Sequence, residues 1–269
     1  MEAMIVSARP ADWVARCFPH TSVLALPLAG KPLVEHQLDA CARAGVTSVR
    51  LVGAAEDAAF VRRLGDGSRW GLVLSCVPSA GDAASAALRF DGAEFVYGGQ
   101  RVRIGSLRDY FEWNLRLVED PTDCVLPGYA SDHGVVLGMN VQIRLRCEVK
   151  PPVLLCDNTL VDHDCRLDGS VIVGEGAILD RGARLHRAIV FPQTYVARAV
   201  ELENKIVVGA RVIDPLTGVC VNLAGDVLSA SLAHRKCSLL RLLGNRWHAL
   251  RVRGRPAACG DGEGSRHVG

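Results

Sequence analysis

The first residues to weigh are those whose side chains can act on a ligand. His163 and His186 lie in a stretch rich in turn formers, and an imidazole can serve as a general base near neutral pH. Both stand at corner or outward positions of the local pattern, where a solvated histidine is the plainer reading. Lys31 stands beside a helix start and Arg9 follows a short apolar run. Each can meet an anion, and a solvated cation is the competing reading. Asp157, Asp162, Asp164, Asp168 and Asp180 fall at turns, which argues for solvated corners and against a metal site. The ten cysteines are Cys17, Cys41, Cys76, Cys124, Cys147, Cys156, Cys165, Cys220, Cys237 and Cys259. No pair has CxxC spacing, so a structural zinc or iron–sulfur site is not expected. Several occupy apolar positions, where a thiol acts as a small hydrophobe, and a reducing cytosol is the simplest setting.

The elements that must position these groups are most legible in the second half. Every sixth residue from Leu155 is apolar: Leu155, Val161, Leu167, Val173, Leu179, Leu185 and Phe191. Two positions before each stand Val153, Thr159, Cys165, Val171, Ala177, Ala183 and Ile189, all small or β-branched. Between them come Asp157-Asn158, Asp162-His163-Asp164, Asp168-Gly169, Gly174-Glu175-Gly176 and Asp180-Arg181-Gly182. A period of six fits neither an α-helix nor a simple alternating strand. It fits a left-handed parallel β-helix, a triangular coil with short strands as faces and turns as corners, over residues 153–223. After Phe191 the period slips by one at Pro192-Gln193, and Val196, Leu202 and Val208 start a new column. Asp214-Pro215-Leu216-Thr217-Gly218 reads as the turn that ends the coil, with Val219 to Leu223 as a last strand.

Residues 1–125 read instead as an α/β domain of alternating strands and helices. Strands are expected at Met4 to Ser7, Val46 to Gly53, Leu72 to Val77 and Phe95 to Tyr97. Helices are expected over 32–44, 55–64 and 81–89, and a further one is capped by Ser106 with Asp109 completing a capping box. Such a parallel sheet binds ligands beyond the carboxyl ends of its strands, here after Ser7, Gly53 or Tyr97. Residues 126–152 read as a linker.

Residues 229–243 have the pattern of an amphipathic helix, and from His234 to Arg255 there are seven Lys or Arg and no Asp or Glu. The basic segment 224–255 is read first as a cap on the open end of the coil. The second reading places 229–255 on an anionic membrane surface. Residues 256–269 read as a disordered tail. The chain has no run of 18 uncharged apolar residues and no secretory signal pattern, so a cytoplasmic protein is expected. A formal charge of +2 points to no nucleic acid or other charged partner. With 49% hydrophobic residues the chain can build a core, and with only 5% aromatics the core must be layered from small side chains.

The segment Leu28-Ala29-Gly30-Lys31-Pro32-Leu33-Val34-Glu35-His36, followed by Ala44-Gly45-Val46 and by Gly81-Asp82-Ala83 with Ala86-Ala87-Leu88, resembles the sugar-1-phosphate nucleotidyltransferase family. The helix from Ser106 to Leu117 resembles the one leading to that family's hexapeptide-repeat β-helix. The resemblance covers nearly residues 1–215 and implies a reduced Rossmann-like domain followed by the coil. It implies that Lys31 meets a phosphate and that Mg²⁺ and a nucleoside triphosphate are used. Three departures oppose the activity. The family's glycine-rich phosphate loop is replaced by Ser7-Ala8-Arg9-Pro10-Ala11-Asp12-Trp13, which has no glycine and, at Pro10, no amide donor. The family's metal-binding Asp after the next site strand matches Gly99, which has no carboxylate. Only Gln100 to Gly105 stand where the family inserts its sugar-binding subdomain.

The expectation is therefore a non-catalytic, nucleotidyltransferase-like assembly or regulatory protein of sugar-nucleotide or polysaccharide metabolism. It would need no cofactor and would work as a homo-oligomer or with a related pathway protein. An active nucleotidyltransferase using Mg²⁺ and a nucleoside triphosphate is the second reading. A hexapeptide-repeat acyltransferase using His163 or His186 is the third. The outward residues Ile172, Ile178, Ala188, Val190 and Val207 form an apolar strip, expected to be an interface between copies or a surface packed within the chain.

Overall fold

Short apolar runs punctuated by glycine build the first part. The computed structural model describes residues 1–7, 11–19, 21–53, 58–77, 86–121, 124, 126–222 and 229–231. Strand β1 (Glu2–Val6) leads to helix α1 (Asp12–Cys17) and to a two-residue hairpin, β2 (Pro27–Leu28) and β3 (Lys31–Pro32). Helix α2 (Leu33–Arg43), strand β4 (Ser48–Val52), helix α3 (Ala58–Leu64) and strands β5 (Val73–Val77) and β6 (Leu88–Asp91) follow. The sheet order is β5-β4-β1-β6, and all pairs are parallel. α2 buries Val34, Leu38 and Cys41 against Ile5, Val49, Leu51 and Phe90 of the sheet.

Two expectations fail here. Where a helix was expected over 81–89, Leu88 and Arg89 open strand β6, and Phe90 is fully buried against the sheet core; residues 81–85 lie outside the described residues. Phe95 to Tyr97 is a strand but does not join the parallel sheet. β7 (Glu94–Tyr97) turns back on β8 (Gln100–Arg103) as an antiparallel hairpin. Gly98 and Gly99, with φ of 57° and 74°, are the cause: two residues with positive φ make the tight turn that matches strand twist. Three residues intervene between β8 and helix α4 (Leu107–Glu119). Ser106 Oγ accepts from the Asp109 amide at 3.1 Å, and the Asp109 carboxylate reaches the Gly105 amide at 3.2 Å.

The second part is strand-rich and starts earlier than expected. The stretch 126–152, read as a linker, already contains β9 (Ala130–Asp132), β10 (Val135–Leu137), β11 (Gln142–Ile143) and β12 (Glu148–Val149). Then come β13 (Val153–Leu155), β14 (Leu160–Val161), β15 (Arg166–Val173), β16 (Ile178–Leu179), β17 (Arg184–Val190), β18 (Thr194–Val196) and β19 (Glu201–Val208). Strands stack in parallel one circuit apart: Val135 on Val153, Val153 on Val171, Val171 on Ala188, Ala188 on Lys205. Corners repeat with the strands. Positive φ occurs at Asn140, Asn158, Gly176 and Gln193, steps of 18, 18 and 17, and at Arg146, Asp164, Gly182 and Ala199 in the same steps. The stack ends in antiparallel strands β20 (Arg211–Ile213), β21 (Cys220–Asn222) and β22 (Ser229–Ser231). Residues 229–231, expected to open a helix, thus pair with β18 as a strand; residues 223–228 and 232–269, including most of the proposed cap and the whole tail, lie outside the described residues.

The register slip is real but lies elsewhere. Gly169 and Ser170 turn one corner of β15, whereas Arg187 alone turns the equivalent corner of β17. The missing residue is therefore at Arg187, not at Pro192-Gln193. Its loss moves the inward column from Leu185 to Ala188 and Val190, which join the coil interior, and turns Ile189 and Phe191 outward. The apolar strip is also consumed within the chain. Val190, Ala188 and Val207 face the coil interior, Ile172 is buried beneath α1 and α4, and Ile178 is half-buried.

The two parts share one core. The outward residues Leu154, Ile172, Ile189 and Ile206 pack against Leu115 and Val118 of α4 and against an aromatic group of Trp13, Phe18, Tyr110 and Phe191. Phe18 stacks on Phe191 with ring centroids 5.0 Å apart. Polar contacts at the corner fix α4: Ser170 Oγ donates to Glu119 at 2.5 Å and Arg187 to Glu112 at 3.1 Å.

Val173 tests the interior. It stacks between Leu155 and Val190 and is fully buried. Val173→Asp leaves an unpaired buried carboxylate, which costs about 3–5 kcal/mol, a large share of a typical domain's stability. Thermal unfolding is expected to shift down by roughly 10 °C or more; an unchanged melting temperature would place Val173 outside the core.

Candidate functional site

The parallel sheet has one place where a ligand crevice follows from topology alone. Strand order reverses at β1, with β4 on one side and β6 on the other, so the crevice lies beyond the carboxyl ends of β1 and β6. Ser7 and Gly92 mark its floor: the Ser7 amide donates to Val52 O at 2.8 Å and the Gly92 amide to Val6 O at 3.0 Å. The side chain presented there is Asp91, whose carboxylate is half exposed and accepts from Arg89 Nε at 2.9 and 3.2 Å. Behind it, Gln37 Nε2 donates to Gly92 O at 3.1 Å and to Glu94 O at 2.7 Å, tying α2 to the strand end. Arg103 pairs with the buried Glu94 carboxylate at 2.6 Å.

Asp91 escaped the reading of the sequence because the strand at Phe95 to Tyr97 was matched to the family strand that precedes the metal-binding Asp, which put Gly99 at that position. With β6 in that place, the carboxylate that ends the strand is Asp91, and Gly99 sits in the hairpin turn away from the sheet. The missed signal is the Asp91-Gly92 pair directly after alternating Leu88 and Phe90. Arg9 and Pro10 lie outside the described residues, as do 54–57 and 78–85 after β4 and β5.

Lys31 does not face an open phosphate site. It is buried in the β2–β3 hairpin and its ammonium pairs with Asp39 of α2. Trp70 Nε1 donates to the other Asp39 oxygen at 2.9 Å, so one carboxylate gathers both donors. His36 lies beside this network, with Nε2 2.8 Å from Leu28 O. Burial and the nearby Lys31 charge push its imidazole down to about 3, so it is neutral at neutral pH and Nε2–H donates to the carbonyl.

The two histidines of the coil are at different corners. His163 is half exposed, and its own amide donates to Asp162 Oδ1 at 2.7 Å. His186 sits one circuit above Asp168, and its Nδ1 lies 2.6 Å from Asp168 Oδ1. A carboxylate only accepts, so Nδ1 carries the hydrogen and Nε2 is left to the solvent side. The ring covers Gly169, where φ is +66° and an added Cβ would come within 2.4 Å of the ring. This is a base with an orienting carboxylate, on an exposed ridge. The 18-residue spacing of Asp168 and His186 was the signal available in the sequence. The other acidic corners act within turns and ladders: Asp157 accepts from the Met139 amide, Asp164 pairs with Arg146 and Arg181, and Asp180 accepts from Tyr195. Among the described residues no group of three His, Cys, Asp or Glu could hold a metal ion. No described helix is long and apolar enough to cross a membrane.

The larger described cavity, about 140 Å³, lies at the junction of the two parts, between the end of α4 and Val136 and Leu154 of the coil. Its walls are mostly apolar, and it is remote in character from a phosphate site.

His36 gives the site a measurable pH signature. Its folded value, about 3, lies below the unfolded 6.5, so the stability it contributes is present above 6.5 and is lost as pH falls toward 3. Unfolding free energy is expected to decline by up to about 1.4 kcal/mol per pH unit through that window from this residue. His36→Gln should flatten the decline in denaturant titrations; an equal slope in both proteins would remove His36 as its source. No protein-family model matches the chain, and the functional reading therefore rests on these side chains.

Proposed function

We propose that the chain is a nucleotidyltransferase-like protein that lacks catalysis and serves as an assembly or regulatory partner in sugar-nucleotide or polysaccharide metabolism. In this reading the first part is a reduced Rossmann-like domain, supported by the parallel order β5-β4-β1-β6. The second is a left-handed parallel β-helix, supported by parallel pairing one circuit apart and by corners repeating every 18 or 17 residues. The observation that carries the loss of activity is the path after β8. Only Ile104, Gly105 and Ser106 separate that strand from α4, so no chain remains from which to build a sugar pocket. The burial of Lys31 against Asp39 supports the same conclusion, since it spends the cation that would meet a phosphate.

The assembly role draws on the first circuit of the coil. Among the described residues β11 and β12 each have a strand partner on one side only. Met139, Ile143 and Leu145 around them are 61%, 42% and 75% exposed. Open strand edges flanked by apolar side chains recruit a neighbour. Asp91 favours the second reading, an active nucleotidyltransferase, because it stands where the resemblance calls for a metal-binding carboxylate. The oriented His186 favours the third, an acyltransferase, which would consume an acyl-coenzyme A.

Calorimetry separates the first two readings: no binding of nucleoside triphosphate with Mg²⁺ is expected in the micromolar range, and micromolar affinity abolished by Asp91→Asn would establish the enzyme reading instead. For the assembly role, light scattering after size exclusion is expected to give at least twice the 28.8 kDa chain mass, with Leu145→Glu returning the protein to one chain. A wild-type peak that stays monomeric at high micromolar concentration would exclude self-assembly.

A further inference from the structure

Three of the described thiols face only carbonyl oxygens. Cys147 Sγ lies 2.9 Å from Asp162 O, Cys165 Sγ 3.3 Å from Asp180 O, and Cys124 Sγ 3.8 Å from Ala29 O. Cys17 and Cys220 also face each other, Cys220 Sγ lying 3.9 Å from Gly218 O as well. Their sulfurs are 3.1 Å apart across 203 residues of sequence. Cys17 is the last residue of α1 and is fully buried; Cys220 opens β21 and is half-buried. A disulfide needs the sulfurs at about 2.05 Å, so closing the pair takes a shift of about 1 Å, within reach of side-chain rotation. The strand that carries Cys220 is entered from an exposed turn, with Leu216 and Val219 both 55% exposed, so a reagent in solution can approach it. Arg16 Nη2 comes within 3.5 Å of a Cβ built at Gly218, and the charges of Arg16 and Arg211 both favour a Cys220 thiolate. Burial opposes them and holds the Cys220 thiol up at about 11, which keeps the pair reduced until a thiol-reactive oxidant arrives.

We propose that Cys17 and Cys220 form a dithiol–disulfide site, oxidised by a low-molecular-weight disulfide, which covalently staples the N-terminal α/β part to the end of the strand-rich part. The exchange takes two steps. The Cys220 sulfur, losing its proton to solvent, attacks one sulfur of the oxidant; that disulfide breaks, and a small thiolate leaves and takes up a proton. The Cys17 sulfur, losing its proton in turn, then attacks the Cys220 sulfur of the mixed disulfide and expels the second small thiolate. The two protein thiols are oxidised, one oxidant disulfide is reduced to two thiols, and both protons end on the leaving groups. The geometry gives each cysteine its part: the accessible sulfur meets the reagent, and the buried one resolves the adduct. The staple fixes α1, the helix reached by the chain after it leaves the carboxyl end of β1, and so couples the crevice beside β1 to the last hairpin of the coil. It does not depend on whether the chain has catalytic activity.

The test uses the full chain with oxidised glutathione as the probe. After incubation, denatured protein should expose two fewer of its ten thiols to alkylation, and its intact mass should fall by the two thiol hydrogens. Peptide mapping should join the Cys17 peptide to the Cys220 peptide. The melting temperature should rise and return to its starting value on reduction. Cys220→Ser removes a half-buried sulfur, should keep the melting temperature of reduced wild type, and should show neither the thiol loss nor the rise. Wild-type mapping decides the matter even if Cys17→Ser, at a buried site, fails to fold. Ten titratable thiols after oxidation, a bridge mapped to other cysteines such as Cys124 and Cys156, or glutathione retained on Cys220 would each overturn the proposal.

Discussion

The structure depends on one burial: the row Leu154, Ile172, Ile189 and Ile206 on the outer face of the coil, covered by α1 and α4. Apolar side chains on an outward strand face must be removed from water, and here the same chain supplies the cover. That contact sets where the parallel sheet stands relative to the coil. It also explains the aromatic group. Phe18, Tyr110, Trp13 and Phe191, four of the chain's fourteen aromatic residues, meet where two surfaces of different curvature must be fitted together. The charged contacts of Glu112 and Glu119 lie at the rim and orient the helix; the apolar row provides the larger free energy.

The repeat of the strand-rich part was legible in the sequence because its constraint is local and recurrent. Each circuit must place a small or aliphatic side chain inward at the same phase, so Leu155, Val173 and the positions between them declare themselves by period. Where the period broke, the sequence showed that a residue was missing but not where. Ile189 and Phe191 continue the apolar column as well as Ala188 and Val190 do, and only the covering of Ile189 by α1 and α4 decides between them. The first circuit was missed although its period was present. Stepping back by six from Leu155 meets Val149, Ile143 and Leu137, with Cys147, Val141 and Val135 two positions before them, so the column was begun too late in the chain.

The α/β part was legible in its helices and less so in its strand order. Pro32, the stripe of Val34, Leu38 and Cys41, and Gly45 specify α2 within the chain's own local chemistry. Which strand lies beside β1 is a long-range fact, and both Leu88–Asp91 and Glu94–Tyr97 had the composition to be chosen. The Gly98-Gly99 turn was the deciding local cue. Lys31 shows the same limit in the candidate site: its motif is readable, but its pairing with Asp39 comes from a hairpin folded back on a helix. Asp168 and His186 were each seen, and only the stacking of circuits makes them a pair.

A stack of parallel strands is in principle an open-ended template, each circuit offering an edge on which another can form, as in fibrils. At the carboxyl end of the described stack two of the three strand faces are closed. The chain reverses direction into β20, β21 and β22, and the inward column that runs Val153, Val171, Ala188 ends in Lys205, paired with Asp214 at 3.0 Å. A further circuit there would have to bury that ion pair at a desolvation cost and match strands of the wrong polarity. Among the described residues these strands cover Thr194–Val196 and Ile206–Val208 but leave Glu201–Glu203 as one open parallel edge, against two, β11 and β12, at the amino end. The two ends are thus unequal templates: a copy meeting the amino end gains backbone pairing on two faces, and one meeting the carboxyl end on a single face.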